Sequence, residues 1–304
     1  MKSSLFVALW SLAVMAVMTL SSCEKMVIDD QTPSHGVDAD ANLIIRVSHD
    51  SFHPYEDEEA ESRSQVNIAD YCTRFNFVLY QDGTKVKAIT QTKNEAGSDF
   101  GQVSLSLASG SYQLLVLAHS SASGNPVLSH PEEIQFTNAM GYSDTFCYYG
   151  TIEVTAEPAT HDILLKRCTT MVRFHFDEVF PDDVAVLQIN YTGESGVLNA
   201  TTGYGGTTNS KQEKKLNVSS FAGKHTTYLL PIYTFMRGDT GTLNITMTAL
   251  RADGTTIQER SFQDVPIEHT KVTEFVGEFF EHESEASFSF TAETDWEVAT
   301  TIRY

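Results

Sequence analysis

From residue 41 onward, apolar and polar positions follow a period of two. Leu43, Ile45 and Val47 alternate with Ile44, Arg46 and Ser48. Phe75, Phe77 and Leu79 share a face, and Asp82-Gly83 then turns the chain into 85–90. A strand–Asp-Gly–strand unit predicts a hairpin. Val103, Leu105 and Leu107 alternate with Gln102, Ser104 and Ser106, Ser109-Gly110 turns, and 112–118 returns as a buried run. Between 125 and 144 the pattern breaks, with Pro126, Pro131 and Gly141 marking an irregular connection. The grammar then repeats. Val172, Phe174 and Phe176 face one side, 184–189 and 227–235 read as strands, and Leu243, Ile245, Met247 and Ala249 alternate before Asp253-Gly254 turns into 256–262. Helical periodicity is confined to short turns near 67–71 or 131–136. Strict alternation gives each strand one wet and one core face, as in antiparallel sheets. The expected fold is all-β, with two tandem β-sandwiches.

The boundaries follow from where the pattern starts and stops. A closing strand at 161–165 and a fresh one from Met171 put the seam near Lys166-Arg167-Cys168. This gives an N-terminal sandwich at 41–167 and a C-terminal one at 168–281. The Gly/Thr-rich stretch 201–210 reads as a flexible loop. It lacks the Lys-Ser/Thr and following helix of a phosphate cradle. After Phe279-Phe280 the chain turns polar and then resumes alternation through Ala286, Phe288, Phe290 and Ala292, and again through Trp296, Val298, Thr300 and Ile302. Residues 282–304 are therefore read as a C-terminal strand extension, either ordinary last strands of the second sandwich or a segment offered to a neighbour.

The N-terminus breaks the pattern altogether. Lys2 precedes an almost unbroken apolar run over 5–20, followed at once by Leu20-Ser21-Ser22-Cys23. Small residues before a cysteine resemble the bacterial lipobox, so residues 1–22 are read as a lipoprotein signal peptide and Cys23 as the lipidated residue. Two or three acyl chains on that cysteine would give durable anchoring. Residues 23–40 then form an aperiodic tether.

Composition narrows the function classes. The 304 residues carry 40 acidic against 20 basic side chains, a formal charge of −20. Such a field repels phosphate backbones, which excludes nucleic acid as a first partner. Cys72, Cys147 and Cys168 remain beyond Cys23. Three cysteines give no complete disulfide framework. One bridge with a spare thiol fits an exported chain, but the spacings do not choose the pair, and three small buried hydrophobes is the simpler reading. The chain has no C-x-x-C, G-x-S-x-G, H-E-x-x-H or calcium-loop pattern. The run Glu56-Asp57-Glu58-Glu59 is read as solvated surface. No catalytic residue, metal site or cofactor is expected.

The order of these pieces carries a resemblance. Lipobox, tether and first strand are followed by a loop ending Glu61-Ser62-Arg63-Ser64 and the Asp82-Gly83 hairpin. Then come Ser109-Gly110-Ser111-Tyr112, the junction Leu165-Lys166-Arg167 into Met171-Val172-Arg173-Phe174, and an aromatic-ended tail. This order is similar to the type V fimbrillins of Bacteroidales, especially their FimB/Mfa-like anchor and accessory subunits. The resemblance implies two transthyretin-like sandwiches and a surface-exposed, outer-membrane, non-enzymatic subunit that joins other fimbrial subunits by β-strand exchange. It also implies proteolysis by an Arg-specific protease after the first strand in polymerising subunits, here at Arg63, whereas anchors keep strand and lipid. The donor contacts it implies are Phe288, Phe290, Trp296 and Val298. Two alternatives are a polymerising stalk or tip pilin and a surface glycan-binding lipoprotein. The latter usually shows exposed tryptophans, and the only two here are Trp10, which leaves with the signal, and Trp296.

Overall fold

The computed structural model describes residues 40–52, 68–137, 141–206, 211–280, 290–291 and 298–303. Its elements are almost all strands. In chain order they begin with β1 (Leu43–Val47), β2 (Arg74–Gln81), β3 (Thr84–Thr92), β4 (Gln102–Leu105) and β5 (Gly110–His119). Next come β6 (Ile134–Gln135), β7 (Thr145–Val154), β8 (Ala159–Ile163) and β9 (Lys166–Arg167). The second half opens with β10 (Thr170–Val179), β11 (Val186–Thr192), β12 (Val197–Asn199), β13 (Tyr204–Gly205) and β14 (Gln212–Asn217). It continues through β15 (His225–Thr234), β16 (Thr240–Leu250), β17 (Thr256–Glu268) and β18 (Val272–Val276). The strands β19 (Phe290–Thr291) and β20 (Val298–Arg303) follow.

Both halves use one plan. In the first, a sheet ordered β4-β1-β8 faces a sheet ordered β3-β2-β5-β7-β9. In the second, β15-β10-β18, extended by β20 and β19, faces β14-β11-β16-β17. The first strand of each half pairs antiparallel on one side (β4 or β15) and parallel on the other (β8 or β18). Alternation explains the packing. Leu43, Ile45 and Val47 point inward against Phe75, Phe77 and Leu79, while Val172, Phe174 and Phe176 meet Leu243, Ile245, Met247 and Ala249. All these side chains are buried. At the β2–β3 turn, Asp82 and Gly83 both take positive φ, 50° and 74°, the combination a two-residue hairpin requires. The second Asp-Gly instead lies in a longer loop closed by Arg251 N–H donating to Thr255 O at 2.9 Å.

A third apolar cluster lies between the two cores. The faces of β2 and β5 turned away from the first core carry Val78, Tyr80, Leu115 and Leu117. These pack with Leu128, Ile134, Phe136 and Tyr142, and with Leu198, Ala200 and Phe235 of the second half. That is why 112–118 lacks alternation: β5 is covered on both faces. A small sheet ordered β13-β12-β6 spans the halves, with Leu198 opposite Ile134.

Two local expectations change. Residues 131–136 hold a turn and then strand β6, not a helical turn, because tertiary pairing with β12 decides so short a segment. Some of the Gly/Thr-rich stretch is strand β13, seated so closely that a Cβ on Gly205 would collide with the Phe235 carbonyl. The short helix at Ile68–Tyr71 matches the turn expected there.

Candidate functional site

The first strand is bound on both sides and fastened at both ends. Its ladder pairs Leu43 with Leu105 and Ile45 with Val103 on one side, and Leu43 with Ala159 through Val47 with Ile163 on the other. At the entry, Asn42 Nδ2 donates to Leu107 O at 2.9 Å and to Thr155 O at 2.7 Å, while Asn42 Oδ1 accepts from Leu107 N–H at 2.9 Å. At the exit, Ser48 N–H donates to Ile163 O at 2.8 Å, and Ser51 Oγ accepts from Leu165 N–H at 2.9 Å. Phe52 is then buried among the rings of Tyr71, Phe75 and Phe146. On the outer face Arg46 forks onto Asp162 at 2.6 and 3.1 Å, a solvent-exposed pair that raises the Arg46 pKa and lowers that of Asp162. An exposed pair of this kind sets register more than stability. Leu43, Ile45, Val47 and Phe52 each contribute roughly 1.5–3 kcal/mol of burial. Chemically, β1 is held as any sheet-bound segment is, by ladder hydrogen bonds to β4 and β8 and by pockets that take every second side chain.

In the second half, β20 and β19 extend the sheet beyond β18. β20 runs parallel to β18, with Val298 opposite Val272 and Ile302 opposite Phe275, and β19 returns antiparallel with Phe290 opposite Ile302. Before that segment the chain is held at Phe279 and Phe280, whose N–H groups donate to the buried Glu178 carboxylate at 2.8 Å each. Phe279 is fully buried against Phe176 and Phe280, with the Arg260 guanidinium 6.0 Å from its ring centre.

The connection between the halves is equally constrained. Arg167 binds Asp144 at 2.9–3.1 Å and lies 4.7 Å over the Phe146 ring, and Thr169 Oγ1 donates to Asp144 at 2.7 Å. Cys168 N–H donates to Thr145 O at 2.8 Å.

Of the residues singled out from the sequence, Phe290 and Val298 fall on β19 and β20. Cys23, Arg63, Phe288 and Trp296 lie outside the described residues, as does the acidic run 56–59. Cys72, Cys147 and Cys168 are all buried. Burial pushes the Cys72 thiol up to about 12. No cluster of three or more His, Cys, Asp or Glu side chains suited to a metal ion occurs among the described residues. No helix among them is long and apolar enough to cross a membrane. Sequence reasoning missed Asn42 and Glu178. The one signal for Asn42 was an amide placed immediately before the first alternating run.

Fold and site together define an all-β protein of two repeated sandwiches with a first strand laced into its sheet from both sides. The chain belongs to DUF6562, a family of unknown function, whose model matches residues 38–302. No curated protein matches the sequence. Among solved structures it is similar to a candidate adhesin from Bacteroides ovatus ATCC 8483, at 14% identity and a TM-score of 0.46, over 77% of this chain and 88% of that one. A candidate polysaccharide-binding protein from Bacteroides thetaiotaomicron VPI-5482 gives 14% identity and a TM-score of 0.46, over 72% and 79%. The fimbrial anchor protein Mfa2 from Porphyromonas gingivalis gives 11% identity and a TM-score of 0.38, over 72% and 80%.

Proposed function

We propose that this chain is a non-enzymatic fimbrial subunit of the anchor or accessory kind, attached to the outer membrane by lipid on Cys23. It assembles with other fimbrial subunits by exchange of β-strands. The observation that carries the reading is the position of β1, between antiparallel β4 and parallel β8 with three inward side chains. A chain cut at Arg63 and stripped of β1 would present two unpaired strand edges above an apolar slot, which another extended segment fills. An uncut chain keeps the slot filled by its own strand. The acidic stretch ahead of Arg63 is a poor approach for a trypsin-like protease, which favours the uncut, anchoring form. In this reading 1–22 is the leader, 23–40 the tether, 41–167 and 168–281 the two sandwiches, and 282–304 the segment offered to a neighbour through Phe288, Phe290, Trp296 and Val298.

The test is the chemistry of the mature N-terminus. Mass spectrometry of the protein taken from its native membranes is expected to show a start at Cys23 bearing diacylglycerol and an acyl chain. Cys23→Ala is expected to disappear from the membrane fraction. A start at Ser64 would make the chain a polymerising stalk or tip subunit. Cys23→Ala retained in membranes at the wild-type level would refute the anchor.

A further inference from the structure

Two of the three cysteines meet at the joint between the halves. Cys147 lies on β7, and Cys168 lies on the connection from β9 to β10. Cys168 Sγ donates to Cys147 Sγ at 2.7 Å, and both are buried in the cluster between the cores. Non-bonded heavy atoms settle at roughly 3.5–4.0 Å, whereas a disulfide closes at about 2.05 Å. The two sulfurs are therefore already inside ordinary contact distance, and a shift of under about 1 Å joins them. Groups other than the sulfurs impose this approach. β7 and β9 pair with Phe146 opposite Arg167 and Cys147 opposite Lys166. Asp144 holds Arg167 and Thr169 on either side of Cys168, whose own N–H is bound to Thr145 O.

We propose that Cys147 and Cys168 form a disulfide that locks the inter-unit connection onto β7, leaving Cys72 as the lone thiol. Cys72 cannot compete. It packs in the first core, on the opposite face of the five-stranded sheet from the pair, and its Sγ donates to Ile68 O at 3.7 Å. The proposal rests on the export reading above, because disulfides persist outside the reducing cytosol.

The chemistry balances with an oxidised dithiol carrier as co-reactant. One cysteine thiolate attacks the carrier's disulfide and gives a mixed disulfide. The second thiolate then displaces the carrier sulfur, so the carrier leaves with two electrons and the two protons are taken up on its thiols. Timing follows from burial. In the folded chain burial, then the hydrogen bond with Cys147, push the Cys168 thiol well above its ordinary range. Little thiolate forms there, so the exchange occurs before the cluster between the cores closes. The finished bond is then shielded from soluble reductants.

The experiment uses full-length protein extracted from native membranes directly into denaturant with a maleimide and no reductant, then digested with trypsin. Cleavage at Lys93, Lys166, Arg167 and Arg173 places Cys147 in peptide 94–166 and Cys168 in peptide 168–173. The expected product is these two peptides joined, with Cys72 carrying maleimide. Recovery of Cys147 and Cys168 both alkylated overturns the proposal. The same digest reads residue 23, which separates the two ideas. Lipid on Cys23 with both thiols alkylated leaves export standing and removes the disulfide. A joined pair with an uncleaved leader supports the disulfide and removes the anchor. As a second readout, wild-type protein reduced in denaturant and refolded in the presence of reductant is expected to melt about 5 °C below protein that was never reduced. A Cys147→Ala/Cys168→Ala variant is expected to melt at the same temperature by either route. Equal Tm of the reduced-and-refolded and the never-reduced wild-type protein also overturns the proposal.

Discussion

His119, at the end of β5, is fully buried with both ring nitrogens engaged in the neutral form. Nε2 donates to Asn76 Oδ1 at 2.9 Å, and Nδ1 accepts from Ser121 N–H at 3.2 Å. Asn76 in turn donates to Thr90 Oγ1 and Asn125 Oδ1, so one imidazole orders three segments. Burial, and next the positive charge of Arg74, hold its pKa down at about 3. The folded value lies below the ordinary 6.5 of an unfolded chain. The contribution to stability is therefore complete above about pH 6.5 and is lost as pH falls from there toward 3, amounting to at most about 5 kcal/mol. Denaturant titrations are expected to show stability dropping from pH 6.5 downward, before most carboxylates titrate. His119→Gln, which keeps a donor toward Asn76, is expected to flatten that slope, and an unchanged slope would assign it to other groups. Ten histidines without ligand spacing gave no hint of this network, because its side-chain anchor, Asn76, arrives from a different strand far away in the chain.

Strands that bury one face were readable from their alternation, as β1, β4, β10 and β16 show. β5 was readable as a buried run, although not what covered its second face. β6, β12 and β13 were not readable. Each has only two or three residues, too few for a period, and they form because Ile134 and Leu198 meet across the halves. Parallel pairing was equally hidden, since alternation fixes which face a residue takes and not which strand lies beside it. The pairing of β20 on β18 bears on the C-terminal segment. β18 already has β10 on its other side and buries Val272 and Phe275, and Phe279 and Phe280 are held by Glu178 before the segment begins. A chain ending at Glu285 is therefore expected to keep the cooperative melt of its second half and, if the segment is donated as proposed above, to lose co-purification with other fimbrial subunits. Loss of that melt would assign residues 286–304 to the protein's own core.

At the scale of the whole molecule, the halves are two copies of one plan joined by a cluster of their own. Phe235 is its centre on the second side, fully buried, stacked on Phe136 at 5.5 Å and tilted against Tyr142 at 5.7 Å. Truncation of a buried Phe costs about 3–5 kcal/mol, and here the loss falls on the coupling between the halves. Calorimetry is expected to show one transition for the wild-type protein and two for Phe235→Ala. A single, merely lowered transition in the variant would mean that the halves stay coupled without this ring. The tandem layout was legible in the sequence, but the joint was not. It combines the second faces of β2 and β5 with residues of the irregular stretch 125–144, which alternation leaves unassigned, and with Leu198, Ala200 and Phe235. The lacing of β1 also has a mechanical side. Force applied along the strand from residue 40 loads the β4 and β8 ladders together, in shear. Leu43 to Val47 must slide past both neighbours at once, so the bonds cannot open in sequence like teeth of a zip. Under the anchoring proposed above, load that enters at residue 40 thus meets a strand held from both sides, and pulling experiments on the protein are expected to show β1 yielding in one step rather than bond by bond.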